Sequence, residues 1–237
     1  LNSTGIALTK YEKFAASWIF DRTHLNDSAV KSEIENKYSE LEDAGFEVVD
    51  IPAEDSGDEC NIYEYLFGLG KHLVKTFPKY FDKDGDTDSF VFSIAAVAHG
   101  LRLGEMADLP SRFHKEGGKI EPRQFKEALY SSMHQFDQVV KSIYDLKLNA
   151  RSGAEIKVSI PEYQLASYIS RLLVGRFQYP EFVEKPGWKE EWEVKLPKGI
   201  MSSFLLDSIR DFWRGSGDSK LYDRVWDQNS DPLIPSS

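Results

Sequence analysis

Apolar residues recur at three- and four-residue spacings along most of the chain, the periodicity of helices with one buried face. Tyr11, Phe14, Ala15 and Trp18 fall on one such face. Thr9 followed by Glu12 has the spacing in which a hydroxyl and a carboxylate satisfy free N–H groups at a helix start, so a helix is predicted over 10–20. Asp27 or Ser28 is placed to cap a second helix, with Val30, Ile34, Tyr38 and Leu41 as its stripe and Gly45 as its stop. A third runs from about 60 to 77 through Ile62, Tyr65, Leu66, Leu69 and Leu73 and ends before Pro78.

"SFVFSIAAVAHGL" is apolar almost all round, as expected of a buried central helix. Residues 122–147 carry the longest amphipathic pattern, through Phe125, Leu129, Met133, Phe136, Val140 and Ile143. Pro161 suits the first turn of a helix bearing Leu165, Ile169, Leu172 and Leu173. Ile200, Phe204, Leu205, Ile209 and Phe212 mark a late helix, and "SKLYDRVW" a short one. The pattern predicts an all-α fold, an irregular multi-helix bundle of about eight helices. At most a minor extended pair is expected, around 155–160 and 190–195, and "FEVVDIP" is the most strand-like run of the first half. No internal repeat and no long Gly/Ser linker divides residues 1–237, which read as a single helical domain.

Composition narrows the function classes. A formal net charge of -10 argues against a surface that wraps nucleic acid, since phosphate binding needs clustered Lys and Arg. Cys60 is the one cysteine, so no disulfide forms within the chain and zinc ribbons are unsupported; a reducing cytoplasm is the expected location. No 18-residue apolar run is present, so no membrane partner is expected. The first residues lack the order of a signal peptide, and a start on Leu1 without Met is expected to be a boundary inside a longer protein.

Few stretches carry recognisable chemistry. Asp82, Asp84, Asp86 and Asp88 alternate as calcium ligands do, yet an EF-hand loop needs Gly sixth and Glu twelfth. Counted from Asp82, Gly85 is fourth and Ser93 twelfth, which favours a solvated loop with Asp88 or Ser89 capping the next helix. Pro180-Glu181 ahead of Glu193-Val194-Lys195 fits the PD-(D/E)xK nuclease pattern, in which two acids hold a divalent metal and the Lys activates water. Glu155 and Lys157 share the Glu-x-Lys spacing. The pattern is permissive in a charged chain, and charge on an irregular surface segment explains it as well. His24, His72, His99, His114 and His134 form no His-x3-His pair and none follows Arg at the spacing of HEPN ribonucleases; His99 reads as a hydrogen-bonded core residue. No Walker-type phosphate loop and no Gly-x-Ser-x-Gly elbow is present. "RGSGDSK" offers Gly215, Gly217 and Ser219 as an anion-binding turn ahead of a helix, against the plainer reading of a helix stop followed by an N-cap at Asp218 or Ser219. No metal ligand set and no catalytic residue is assigned apart from the alternative Glu181, Glu193 and Lys195.

"LNSTGIALTKYEKFAASW" resembles the last segment of the ParB/sulfiredoxin-like domain of GmrSD-like restriction proteins, where an Asn-Ser-x-Gly turn leads into a Leu-(Thr/Ser)-x-x-Glu helix. "FWRGSGDSKLYDRVW" is similar to the helical region that follows that domain. The resemblance implies a bacterial anti-phage defence protein whose ParB-like domain, with an Asp-Gly-Gln-Gln-Arg motif, hydrolyses nucleoside triphosphate while a His-Asn-His domain cuts DNA. Neither constellation occurs here. On the resemblance, residues 1–20 are the tail end of a ParB-like domain, 21–237 are a helical body, and Asn2, Ser3 and Gly5 form one lip of the nucleotide pocket. It implies no cofactor in this segment, with triphosphate and divalent metal bound by the full-length parent. The implied partners are an upstream ParB-like domain, a downstream nuclease domain and, for the parent, DNA. The expected role is therefore non-catalytic coupling between nucleotide state and a nuclease or partner; the alternatives are a PD-(D/E)xK-type nuclease module and a stand-alone protein-interaction module.

Overall fold

The computed structural model describes residues 11–45, 59–81, 88–113, 120–148, 160–177, 200–214 and 217–226. Among them the chain is all-α, with nine α-helices, two short 3-10 helices and one two-stranded antiparallel sheet. It divides into two compact units, Leu1–Phe92 and Ser93–Ser237, the division falling inside a helix.

The first unit contains α1 (Glu12–Ser17), β1 (Arg22–His24), α2 (Ser28–Asp43), β2 (Glu59–Asn61), α3 (Ile62–Thr76), a 3-10 helix (Pro78–Tyr80) and the start of α4 (Asp88–Ala98). The N-cap of α1 falls on Tyr11 with no side-chain cap, and Thr9 lies outside the described residues. Asp27 caps α2 as expected, its carboxylate accepting from the N–H groups of Ala29 and Val30. Gly45 ends that helix at φ 85°, a left-handed conformation that glycine adopts without Cβ strain.

The start of α3 is a capping box that the sequence reading did not identify. Asn61 Oδ1 accepts from the Glu64 N–H at 2.8 Å, and the Glu64 carboxylate accepts from the Asn61 N–H at 2.9 Å. β2, immediately before it, pairs with β1 in the register Arg22 with Asn61, Thr23 with Cys60 and His24 with Glu59. Three-residue strands give too short an alternation to read from sequence. The extended pair expected at 155–160 and 190–195 lies, apart from Ile160, outside the described residues, as does all of "FEVVDIP".

Two contacts hold this unit together. α3 presents Ile62, Leu66, Leu69 and Leu73 in one fully buried row, and α2 crosses it with Val30 and Ile34. At the crossing a Cβ on Gly68 would lie 2.7 Å from the Val30 carbonyl oxygen and 2.9 Å from Ile34 Cγ1. Gly68→Ala therefore forces the helices apart and costs about 1–3 kcal/mol, read as a lowered urea midpoint. An unchanged midpoint would show that the helices are not in close contact there. The second contact is aromatic: Phe92 of α4 lies 5.0 Å from Tyr11, 5.5 Å from Tyr63 and 6.2 Å from Trp18 between ring centroids.

The second unit continues through the end of α4, a 3-10 helix (Leu103–Asp108), α5 (Leu109–Phe113), α6 (Pro122–Leu148), α7 (Glu162–Phe177), α8 (Ile200–Ile209) and α9 (Asp218–Trp226). The last two residues of "SFVFSIAAVAHGL" before its leucine turn the chain, with Gly100 at φ 76°. His99 is the core residue expected. Its Nδ1–H donates to the Ala95 carbonyl at 2.7 Å, and its ring lies against Phe113, Phe125 and Phe177. α6 and α7 pack together through Phe125, Leu129, Met133 and Phe136 on one side and Leu165, Ile169, Leu172 and Leu173 on the other, all buried. The buried Arg176 ties them, donating from Nε to Ser132 Oγ at 3.1 Å and from a terminal nitrogen to Gln135 Oε1 at 2.8 Å.

Candidate functional site

The structural feature of the second unit with most chemistry is a buried ionic node where α7, α8 and α9 meet. α8 places Phe204 against Tyr168 at 5.1 Å and Phe136 at 5.7 Å, which seats one face of the helix in the core. Asp207 follows three residues later on that face and is 4% exposed. Just beyond α8, Asp211 adopts a left-handed backbone, φ 53°, a conformation that Asp tolerates better than most residues. The reversal returns Trp213 to the helix it has just left, where its indole N–H donates to Asp207 Oδ2 at 3.3 Å.

α9 then supplies the counter-charge. The Gly217 carbonyl accepts the first helical bond, from Leu221 N–H at 2.9 Å. Leu221 and Arg224, three apart, share the inner face. Arg224, 5% exposed, donates to Asp207 Oδ1 at 2.6 Å and to Oδ2 at 3.3 Å. Tyr168 donates its hydroxyl to Oδ2 at 3.3 Å, and Gln164, one turn earlier on α7, donates to the Phe204 carbonyl and to Ser208 Oγ. Burial, followed by the adjacent Asp207 charge, pushes the Tyr168 phenol well above its ordinary pKa, so the hydroxyl stays a donor. A carboxylate with four donated hydrogen bonds and a paired guanidinium is suited to fixing the helices rather than to moving protons.

Around the node, Trp226 Nε1–H donates to the Val97 carbonyl at 2.7 Å. Arg102 forms an exposed ion pair with Asp223 at 2.8 Å and lies 4.4 Å from the Tyr222 ring centroid. Lys220 Nζ donates to the carbonyls of Phe212 and Arg214, at 3.0 and 3.4 Å.

The residues singled out from sequence fall differently. Asn2, Ser3, Gly5, Glu181, Glu193, Lys195 and Gly215 lie outside the described residues, as do Glu155, Lys157 and the acidic loop up to Asp86. Asp88 opens α4. Gly217 is buried, and a Cβ there would lie 2.2 Å from Tyr163 ring carbons; Ser219 is exposed on the first turn of α9. The turn is thus a helix start with Gly217 facing inward. Among the described residues no group of three or more His, Cys, Asp or Glu is placed to hold a metal, and no single helix is long and apolar enough to cross a membrane. Asp207 and Arg224 were missed. Spacing gave no signal for them, because they meet only once their helices have packed.

The buried Cys60 thiol is held by burial, and next by the Glu64 charge, at a pKa of about 12, up from 9.0. Tyr38, hydrogen-bonded to Glu64, is likewise raised, chiefly by burial. A raised folded pKa leaves stability intact below the unfolded value and removes it as pH climbs towards the folded one, because only the unfolded chain releases its proton in between. The urea midpoint is therefore expected to fall between about pH 8 and about pH 10.5, and to fall less in Cys60→Ala. Equal slopes for the two proteins would contradict the assignment to Cys60.

Comparison with family models, with curated proteins and with solved structures finds no match to this chain.

Proposed function

We propose that this chain is a non-catalytic helical segment of a GmrSD-like, nucleoside-triphosphate-dependent restriction or anti-phage defence protein. In this reading it couples a ParB-like nucleotide-binding domain to a nuclease or partner in a bacterial cytoplasm. Triphosphate, divalent metal and DNA are engaged by the rest of the parent.

One observation carries the reading beyond the resemblance itself. In Phe212–Trp226, the second stretch similar to the family, the conspicuous polar groups are spent inside the second unit. Trp213 and Arg224 meet Asp207, Lys220 meets backbone carbonyls, and Trp226 meets Val97. Side chains committed in this way favour positioning over chemistry.

The reading is tested in the parent with Arg102→Gln combined with Trp226→Phe. Both substitutions loosen α9 without opening the core. The parent is expected to hydrolyse triphosphate at the wild-type rate while its triphosphate-stimulated downstream activity falls several-fold. Equal loss of both activities, or no change in either, would overturn the coupling role.

A further inference from the structure

We propose that α9 is a latch, docking on and leaving the rest of the second unit as one cooperative element while α6 and α7 stay folded. Its use in coupling rests on the function proposed above; the opening itself does not.

A nine-residue helix does not hold its shape alone in water, so the helicity of α9 comes from docking. Its seat mixes polar and apolar contacts. Among its described side chains Leu221 is the fully buried apolar one, and Trp226 is 39% exposed. α7, by contrast, buries Leu165, Ala166, Ile169, Leu172 and Leu173. The main bond of α9 to its seat is the Arg224–Asp207 pair, in which the loss of hydration on burial offsets much of the attraction.

The contacts of Arg224, Trp226 and Asp223 leave satisfied partners when they break. Asp207 keeps the Tyr168 hydroxyl and the Trp213 indole as donors, one from α7 and one from the turn after α8, so its receptor is formed without α9. The Val97 carbonyl keeps the Gly100 N–H at 3.0 Å. Arg102 and Asp223 are half exposed already and return to water. In an open state Asp207 therefore faces water with two donors still in place and the Val97 carbonyl stays paired, which lowers the two penalties that ordinarily tie a helix to global unfolding. Closure, in turn, holds the Val97 carbonyl and Arg102 to the same short helix that grips Asp207.

Hydrogen exchange followed by mass spectrometry on the full 237-residue chain tests the latch. Amides of Leu221–Trp226 are expected to be at least tenfold less protected than those in the middle of α7, with weaker dependence on added urea. Trp226→Phe, which removes one N–H and keeps an aromatic ring, is expected to lower α9 protection several-fold further and leave α7 unchanged. Matching protection and matching urea dependence in α9 and α7 would overturn the proposal, as would parallel losses in both helices on Trp226→Phe. These readouts involve no nucleotide, so a parent that fails to couple hydrolysis to its nuclease leaves them standing, and a failed latch leaves the hydrolysis measurements to be judged separately.

Discussion

Phe204→Ala is expected to lower the stability of the second unit by about 3–5 kcal/mol, the cost of emptying a buried aromatic site that cannot fully collapse. Phe204 is 6% exposed and packs its ring edge-on against both Tyr168 and Phe136, so it joins α8 to α6 and α7. It also sits one turn before Asp207. Loss of the ring therefore loosens the carboxylate that receives Arg224, and α9 protection should fall along with global stability. Urea denaturation followed by circular dichroism reads the first effect and hydrogen exchange the second. A loss below about 1 kcal/mol would mean that α8 is not seated in the core as described. Arg224→Ala makes a useful contrast. Truncating one partner of a buried pair usually costs several kcal/mol because the other charge is stranded, but here release of α9 lets Asp207 return to water. Its effect on global unfolding is capped by the docking free energy of α9 and should be smaller than that of Phe204→Ala.

Phe92→Ala is expected to cost a similar amount, about 3–5 kcal/mol, in the first unit. The ring is fully buried and touches three aromatic side chains from two stretches, Tyr11 and Trp18 at the two ends of α1 and Tyr63 of α3. Offset and tilted rings of this kind add to the burial term, so replacement by Leu should recover much of the loss and replacement by Ala none. Equal stability of the Ala and Leu variants would show that volume at Phe92 is unimportant.

The helices were legible because burial of one face leaves a periodic trace. The row Ile62, Leu66, Leu69 and Leu73 in α3 and the row Phe125, Leu129, Met133 and Phe136 in α6 were read from spacing and are buried in the structure. The Asp27 cap and the Gly45 stop were equally readable, since both act within a few residues of where they stand. The pairing of β1 with β2 was not. Three residues fix no alternation, and the two strands lie far apart in the chain. The Asn61–Glu64 capping box was present in sequence as Asn-x-x-Glu, less distinct than the usual form that opens on Ser or Thr.

The site divides along the same line. Of "RGSGDSK", the restart was readable because it depends on local backbone chemistry, though Asp218 already opens α9 and the Gly217 carbonyl accepts its first bond, one residue ahead of the expected cap at Asp218 or Ser219. The node was not readable. Tyr168, Asp207, Trp213 and Arg224 become one cluster only after α7, α8 and α9 have packed, and sequence spacing carries no record of that meeting. Asp207 in "IMSSFLLDSI" looks like the polar edge of an amphipathic helix until its neighbours are in place.

The proposal that this chain couples and does not itself turn over nucleotide is tested by triphosphate hydrolysis, measured side by side for the purified chain and for the proposed full-length parent with divalent metal present. Turnover by the parent and none by the chain is expected. Turnover by the chain alone at a rate comparable to the parent's would contradict it.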